Sequence, residues 1–189
     1  ELYDIDFKKD DIAFYLKQAR LAGGAVLELG CGNGRISIPL AENGIKIFAI
    51  DNSVNMIKLL KKKAKLKNLK VIMGDIRTIN LHRKFNLIIM PFRVFQCLLD
   101  IKDQFRVLHN IKRHLTASGK LTFDVYYPNL SILANFTSDE KFDSKNLYKD
   151  RVITKSHRNI KIDTAKQVTT TAIIYRVGKK IICKNIIKM

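Results

Sequence analysis

The chain of 189 residues is short of cysteine, of acid and of long apolar runs, and each shortage excludes something. Its cysteines, Cys31, Cys97 and Cys183, are odd in number and lack short metal-type spacing. That argues against a disulfide framework and against a zinc site, and the expectation is reduced thiols and no bound metal. No apolar run approaches the roughly 18 residues of a membrane span, and no stretch has the ordered regions of a secretory signal. A cytoplasmic protein without a membrane partner is expected. Acid is scarce beside base: 17 Asp and Glu face 35 Lys and Arg, for a net charge of +18. Such an excess invites polyanions. No alternation of arginine with aromatics organises it along the sequence, so nucleic acid ranks behind an ordinary solvated lysine surface.

What is present is enough for a core. Hydrophobic residues make up 47% of the chain, and a domain of this length buries about 70% of the surface its unfolded form exposes. The stretch that organises the rest is Val26 to Gly34, Val-Leu-Glu-Leu-Gly-Cys-Gly-Asn-Gly. A short apolar strand breaking into Gly30, Gly32 and Gly34 ahead of a helical pattern brings backbone close to a ligand. Before it, Ile12, Leu16 and Ala19 share a helical face, with Asp10 or Asp11 placed to cap. After it, a helix runs to Asn43-Gly44, and Ile45 to Ile50 forms a strand buried on both faces that ends at Asp51. Asn52 or Ser53 caps a helix with Ile57, Leu60 and Ala64 inward and Lys58, Lys61, Lys62 and Lys65 outward.

The third strand, Lys70 to Met73, closes at Gly74-Asp75, and the fourth runs from Phe85 to Phe92. A helix from about Ile101 to Leu115 stops at Ser118-Gly119, and Lys120 to Tyr127 is the fifth strand. Strand-helix alternation at this spacing predicts an α/β fold of Rossmann-like, doubly wound type, with a mainly parallel sheet whose ligands bind beyond the carboxyl ends of the strands. Residues 129–150 read as a polar connector with a helical turn near Leu130 to Phe136. Val152 to Ile162, Val168 to Val177 and Lys180 to Ile187 read as a C-terminal antiparallel β-meander. The whole is expected as one domain, with residues 1–128 as the α/β core and 151–189 as a lid or sheet extension.

Two cofactor classes use a glycine turn after the first strand and an acid after the second. The dinucleotide fingerprint G-x-G-x-x-G needs a third glycine at position 35, which is Arg. The spacing 30, 32, 34 disfavours a dinucleotide oxidoreductase and suits a ligand without phosphate. With Glu28, Asp51 and Gly74-Asp75, it resembles the class I S-adenosylmethionine-dependent methyltransferases. Tyr3-Asp4, Phe14-Tyr15, Gly30-Cys31-Gly32-Asn33-Gly34-Arg35, Pro39-Leu40-Ala41, Pro91-Phe92-Arg93 with Phe95-Gln96, and His114-Leu115 with Gly119 are similar to a branch of small bacterial methyltransferases. Acceptors in that branch are mostly small molecules or unassigned.

The resemblance implies that S-adenosylmethionine is the cofactor and assigns its contacts. Gly30, Gly32 and the backbone at Cys31 line the methionine and ribose portion, and Glu28 helps hold the amino group. Asp51 accepts the ribose hydroxyls, Asn52 and Met56 flank the adenine, Asp75 takes its exocyclic amine and Ile76 packs on the ring. Met90 lies under the sulfonium, and Tyr3 is a candidate lid.

Methyl transfer is an in-line displacement that needs alignment more than functional groups, so no catalytic residue is assigned. His82, His109, His114 and His157 are read as structural or surface groups. The acceptor is a small molecule in the leading expectation, met by Phe92, Arg93, Gln96 and Tyr126. The family's sheet adds a sixth and an antiparallel seventh strand. Here the sequence ends after the meander, so either that unit is absent or the meander itself closes the sheet. Absence would leave an exposed edge, predicting a homodimer through the meander, and would favour the second function: a catalytically impaired protein that binds cofactor or RNA.

Overall fold

A computed structural model of the chain describes residues 11–127 and 136–189. They fall into two compact units, within Lys8–Val125 and Tyr126–Met189.

The first unit carries the alternating pattern. Strands β1 (Val26–Leu29), β2 (Ile47–Asp51), β3 (Leu69–Met73), β4 (Phe85–Met90) and β5 (Leu115–Phe123) form one parallel sheet in the order β3-β2-β1-β4-β5. Every residue of β1 is buried and so is all of β4 but Asn86, as expected of strands covered on both faces. The chain winds outward from β1 through β2 to β3, then returns to place β4 on the other side of β1. That reversal puts the switch point, where such sheets open a crevice, between β1 and β4.

Helices α1 (Ile12–Ala22), α2 (Ser37–Glu42), α3 (Val54–Lys63) and α4 (Ile101–His114) cover the sheet. Tyr15 and Ala19 of α1 pack with Val26, Leu40, Ile47 and Leu87. Pro39 is the third residue of α2, where its missing N–H breaks no intrahelical bond. The Ser53 hydroxyl caps α3 by accepting from the Met56 N–H at 3.4 Å, and Ile57 and Leu60 turn inward. In α4, Val107, Asn110, Ile111 and His114 recur at three- and four-residue steps on the buried face. Its two polar members are satisfied. The Asn110 amide donates to the carbonyls of Ile76 and Ile79 at 2.9 and 3.0 Å. His114 donates from Nδ1 to the Asn110 carbonyl and accepts the Leu81 N–H at Nε2, 3.1 Å. They rivet α4 to the segment after β3.

Two expectations are corrected. Ser118-Gly119 does not stop α4; the helix ends at His114 and pairing with β4 begins at Leu115, interrupted by a register shift between Phe85↔Leu115 and Leu87↔Lys120. Gly119 lies inside the strand, so close to β4 that a Cβ there would sit 2.8 Å from the Phe85 carbonyl oxygen. The polar segment Glu140–Tyr148 is a strand, β6, rather than part of a connector. Its ladder to β7 (Arg151–Asp163) overrides its composition, helped by Arg176 on Glu140. The helical turn expected near Leu130 to Phe136 lies outside the described residues save Phe136, which is in no helix.

In the second unit, β6, β7, β8 (Val168–Val177) and β9 (Lys180–Lys188) form an antiparallel sheet in sequential order around Ile153, Ala172, Ile174 and Tyr175. The alternative that the meander closes the parallel sheet is therefore incorrect: its strands pair with one another, and β7 and β8 are hydrogen-bonded along both edges.

The sharpest packing constraint falls on Gly34. Its φ is +91°, and a Cβ would collide with Leu60 Cδ1 and with Ile38. Gly44 has a similar φ of +81° with open space around it. Gly34→Ala is expected to cost about 3 kcal/mol or more, combining backbone strain with overpacking, and Gly44→Ala about 1 kcal/mol. Equal losses in denaturant titrations would show that Leu60 does not press on the turn.

Candidate functional site

The site is built where β1, β2 and β3 end side by side. The carbonyl of Ile50 accepts the N–H groups of both Gly30 and Cys31 at 2.8 Å, drawing the glycine turn against β2. Asp51, the last residue of β2, is fixed by backbone: its Oδ2 accepts the Gly32 N–H and its Oδ1 the Ser53 N–H, each at 2.8 Å. One donor per oxygen leaves each with a further lone pair for a ligand. Gly32 has φ +54° and nothing within 4 Å of where a Cβ would point. The space on the Cβ side of Gly32 is thus open, while Gly30 is crowded: a Cβ there would meet Val94 Cγ2 at 2.6 Å. Gly30 draws the segment after β4 onto the end of β1.

Glu28 is buried beneath the turn, and the Ser37 hydroxyl at the start of α2 donates to its Oε2. Burial pushes its carboxyl up from the ordinary 4.5 to about 8, opposed by the Ser37 bond and the charge of Arg35. Cys31 is 3% exposed and burial raises its thiol, so it serves as a small turn residue and not as a thiolate. Asn52 is exposed and Met56 half-buried at the head of α3.

Asp75 follows β3 and is occupied. Arg77 donates to it from its backbone N–H at 2.8 Å and from its guanidinium at 2.6 to 3.0 Å, and also reaches Asp103 of α4 at 2.6 Å. These bonds hold the Asp75 carboxyl below the usual range. A ligand amine at Asp75 would share it with Arg77. Ile76 packs into the core beside it. The Met90 side chain is fully buried with Leu29 and Ile88, part of the floor rather than the wall.

On the other side of the switch point, Phe92 and Arg93 take consecutive left-handed conformations, φ +62° and +60°, at about 1–3 kcal/mol each for residues other than glycine. The carboxylate of Asp124, just past β5, holds them there. It accepts the Phe92 N–H and, at 3.0 Å, the Arg93 N–H, and its Oδ1 also accepts the Tyr15 hydroxyl at 3.1 Å. Burial, seconded by Asp124, raises the Tyr15 phenol well above its ordinary value. Arg35 closes the circuit, paired with Asp11 at 2.5 and 2.8 Å and lying 5.2 Å from the centre of the Phe92 ring. Gln96 is half-buried in the 3-10 turn Val94–Cys97 that follows.

The structure thus gathers Glu28, Gly30, Cys31, Gly32, Asp51, Asn52, Met56, Asp75 and Ile76 along one edge, with Phe92, Arg93 and Gln96 facing them across the switch point. Tyr126 belongs to the second unit and is 44% exposed, and Tyr3 lies outside the described residues. Sequence reasoning missed Asp124, Tyr15 and the Ser37 and Arg35 partnerships. Asp124 carried the signal that marked Asp51, an acid at a strand end. Among the described residues no three His, Cys, Asp or Glu side chains converge as a metal site requires, and no helix is long and apolar enough to cross a membrane.

A five-stranded parallel sheet with a glycine turn after β1 and an acid after β2 defines a nucleotide-binding α/β enzyme class. The chain belongs to the class I S-adenosylmethionine-dependent methyltransferases: the methyltransferase domain family matches residues 26–119. Among curated proteins it is similar to the cypemycin N-terminal methyltransferase of a Streptomyces species, 30% identical over 117 residues, 62% of this chain and 48% of that protein. The chain spans about half the length of that relative. Its fold is that of the CcbJ methyltransferase of Streptomyces caelestis (TM-score 0.76, 21% identity, 96% of this chain and 75% of that one). It is also that of an S-adenosylmethionine-dependent methyltransferase of Clostridium acetobutylicum (TM-score 0.74, 20% identity, 98% and 75%).

Between about pH 4.5 and 8 the folded chain holds the Glu28 proton that the unfolded chain has released, so this group's stability contribution falls as pH rises through that window. Stability measured from pH 5 to 8 should decline relative to Glu28→Gln, by at most about 1.4 kcal/mol per pH unit. Parallel curves for the two proteins would mean that Glu28 is ionised in the fold.

Proposed function

We propose that the chain binds S-adenosylmethionine across the carboxyl ends of β1, β2 and β3 and transfers its methyl group to a small-molecule acceptor met beside the segment after β4. The observation that carries this reading is the Asp51 carboxylate, oriented by the Gly32 and Ser53 amides with lone pairs to spare beside an open glycine. A pair of adjacent ribose hydroxyls is the donor set that such a carboxylate accepts, at about 1.5–3 kcal/mol for a charged acceptor. The residues present therefore fit the cofactor. Glu28 would meet the amino group, which favours the ionised carboxylate; Gly30 and Cys31 would line the methionine portion, and Asn52, Met56, Asp75 and Ile76 the adenine. Met90 would support the floor below the sulfonium.

When bound, the cofactor supplies a methyl group on a sulfonium, with the leaving group already in place. The chain's part is to hold the acceptor in line and keep water out. Phe92 and Arg93 are placed for that by the Asp124 clamp, with Gln96 in the turn that follows. His114, with both ring nitrogens engaged in structure, does not serve as a base.

A homodimer through the meander remains part of this reading. Strand β9 ends the sheet and exposes Ile181, Ile182, Ile186 and Ile187 among Lys180, Lys184 and Lys188. Sedimentation should give a dimer that Ile186→Lys weakens; a monomer at all concentrations removes this element.

Melting with S-adenosylmethionine or its demethylated product at 100 times the dissociation constant should add about 2.7 kcal/mol. Asp51→Ala should abolish the gain, and Asp51→Asn, which keeps the side chain's bulk, should weaken binding about tenfold or more. No shift with either ligand would sink the cofactor assignment, and an unchanged Asp51→Asn would sink the site.

A further inference from the structure

Much of the cationic surplus that looks unorganised in sequence is aligned in the fold. Lys102, Arg106, His109 and Arg113 recur along one face of α4 at steps of four, three and four residues. With Arg77 from the segment after β3, and with Phe105 and Asn110, they line a groove of about 510 Å³. Arg113 also lines a second, adjoining hollow of about 280 Å³ with His82, Arg83, Lys84, Asn80 and His114. Sharing Arg113, the two hollows form a basic track lined by α4 residues between Lys102 and His114. No acidic residue lines either hollow. Asp103 braces Arg77 and Arg106 at 2.6 and 3.0 Å, fixing where those guanidiniums stand.

We infer that this α4 track binds single-stranded RNA, in addition to whatever the methyl-transfer site accepts. Three features distinguish such a strand from an acidic protein. The track holds four of the chain's ten arginines, Arg77, Arg83, Arg106 and Arg113, although lysine outnumbers arginine by 25 to ten in the whole chain. Guanidinium is the planar group that pairs phosphate in bidentate fashion and stacks on bases. Phe105 stands among these cations with 57% of its surface exposed, offering the π-face on which a base stacks. The linear spacing suits a backbone with charge at regular intervals rather than one compact anion. The lysines of α3, by contrast, line neither hollow. The inference does not rest on the methyltransferase reading, because the track is lined by none of the residues assigned to the cofactor.

The test is fluorescence anisotropy of a labelled oligouridine 12-mer with the intact chain, titrated at several salt concentrations. Saturable binding is expected, with log K falling against log salt at a slope of about −3, for about four phosphates contacted by a single strand. Arg106→Glu/Arg113→Glu should weaken binding at least tenfold and flatten the slope. Phe105→Ala should weaken it about fivefold or more. Lys58→Glu/Lys62→Glu on α3 should leave it within about twofold despite the same change in net charge. Melting temperatures confirm that each variant is folded. Three results would each overturn the inference: no saturation at 50 mM salt, an equal loss from the α3 pair, or polyglutamate competing as well as RNA with Phe105→Ala silent. The last would assign the track to an acidic protein instead. The cofactor-induced melting shift is measured on the same samples, so its loss or survival is read separately.

Discussion

Close approach at two glycines sets the geometry on which the rest depends. Gly34 lets Leu60 of α3 and Ile38 press against the turn, and Gly30 lets Val94 do the same from the far side of the switch point. Between them the turn lies against β2, with the Ile50 carbonyl accepting two consecutive amides. Only then does the Gly32 N–H reach Asp51 and leave open space on the opposite side of Gly32. Side chains at Gly30 and Gly34 would push apart the walls that frame the site. The crevice is thus a consequence of packing at its two ends and not of a missing residue at its centre.

Four carboxylates at strand ends do different work because their partners differ. Glu28, surrounded by core and met by one hydroxyl, is pushed toward its neutral form, a state a cationic amino group would reverse. Asp51 receives two neutral backbone donors and stays half-exposed, ready to accept more. Asp75 is neutralised by Arg77, and through Asp103 it becomes the first link of a charge network that runs onto α4. Asp124 looks inward, holding two residues in conformations they would otherwise leave, and so gives the acceptor side a fixed shape.

The same network ties two surfaces of the first unit together. Arg77 belongs both to the end of β3, through Asp75, and to the basic groove along α4. Asn110 and His114 keep the segment after β3 seated on α4 so that this shared residue has one position.

The parallel sheet, its alternation of strand and helix and the glycine turn were legible in the sequence because they rest on local rules. Continuous apolar runs give buried strands, three- and four-residue steps give helices, and glycine is required wherever φ is positive and a neighbour is close. Asp51 was legible for the same reason, as a carboxylate at the end of an apolar run. Partnerships between distant positions were not. Arg77 on Asp75, Asp124 under Phe92 and Arg93, the strand at Glu140–Tyr148 and the alignment of arginines along α4 all depend on segments that meet only after folding. The sequence by itself determined the family and the edge of the sheet where a cofactor belongs, since both follow from backbone conformations written residue by residue. The tertiary structure decided which acids are free to receive a ligand and that the charge has direction, because hydrogen bonding and Coulomb interaction act through space between groups as far as 109 residues apart.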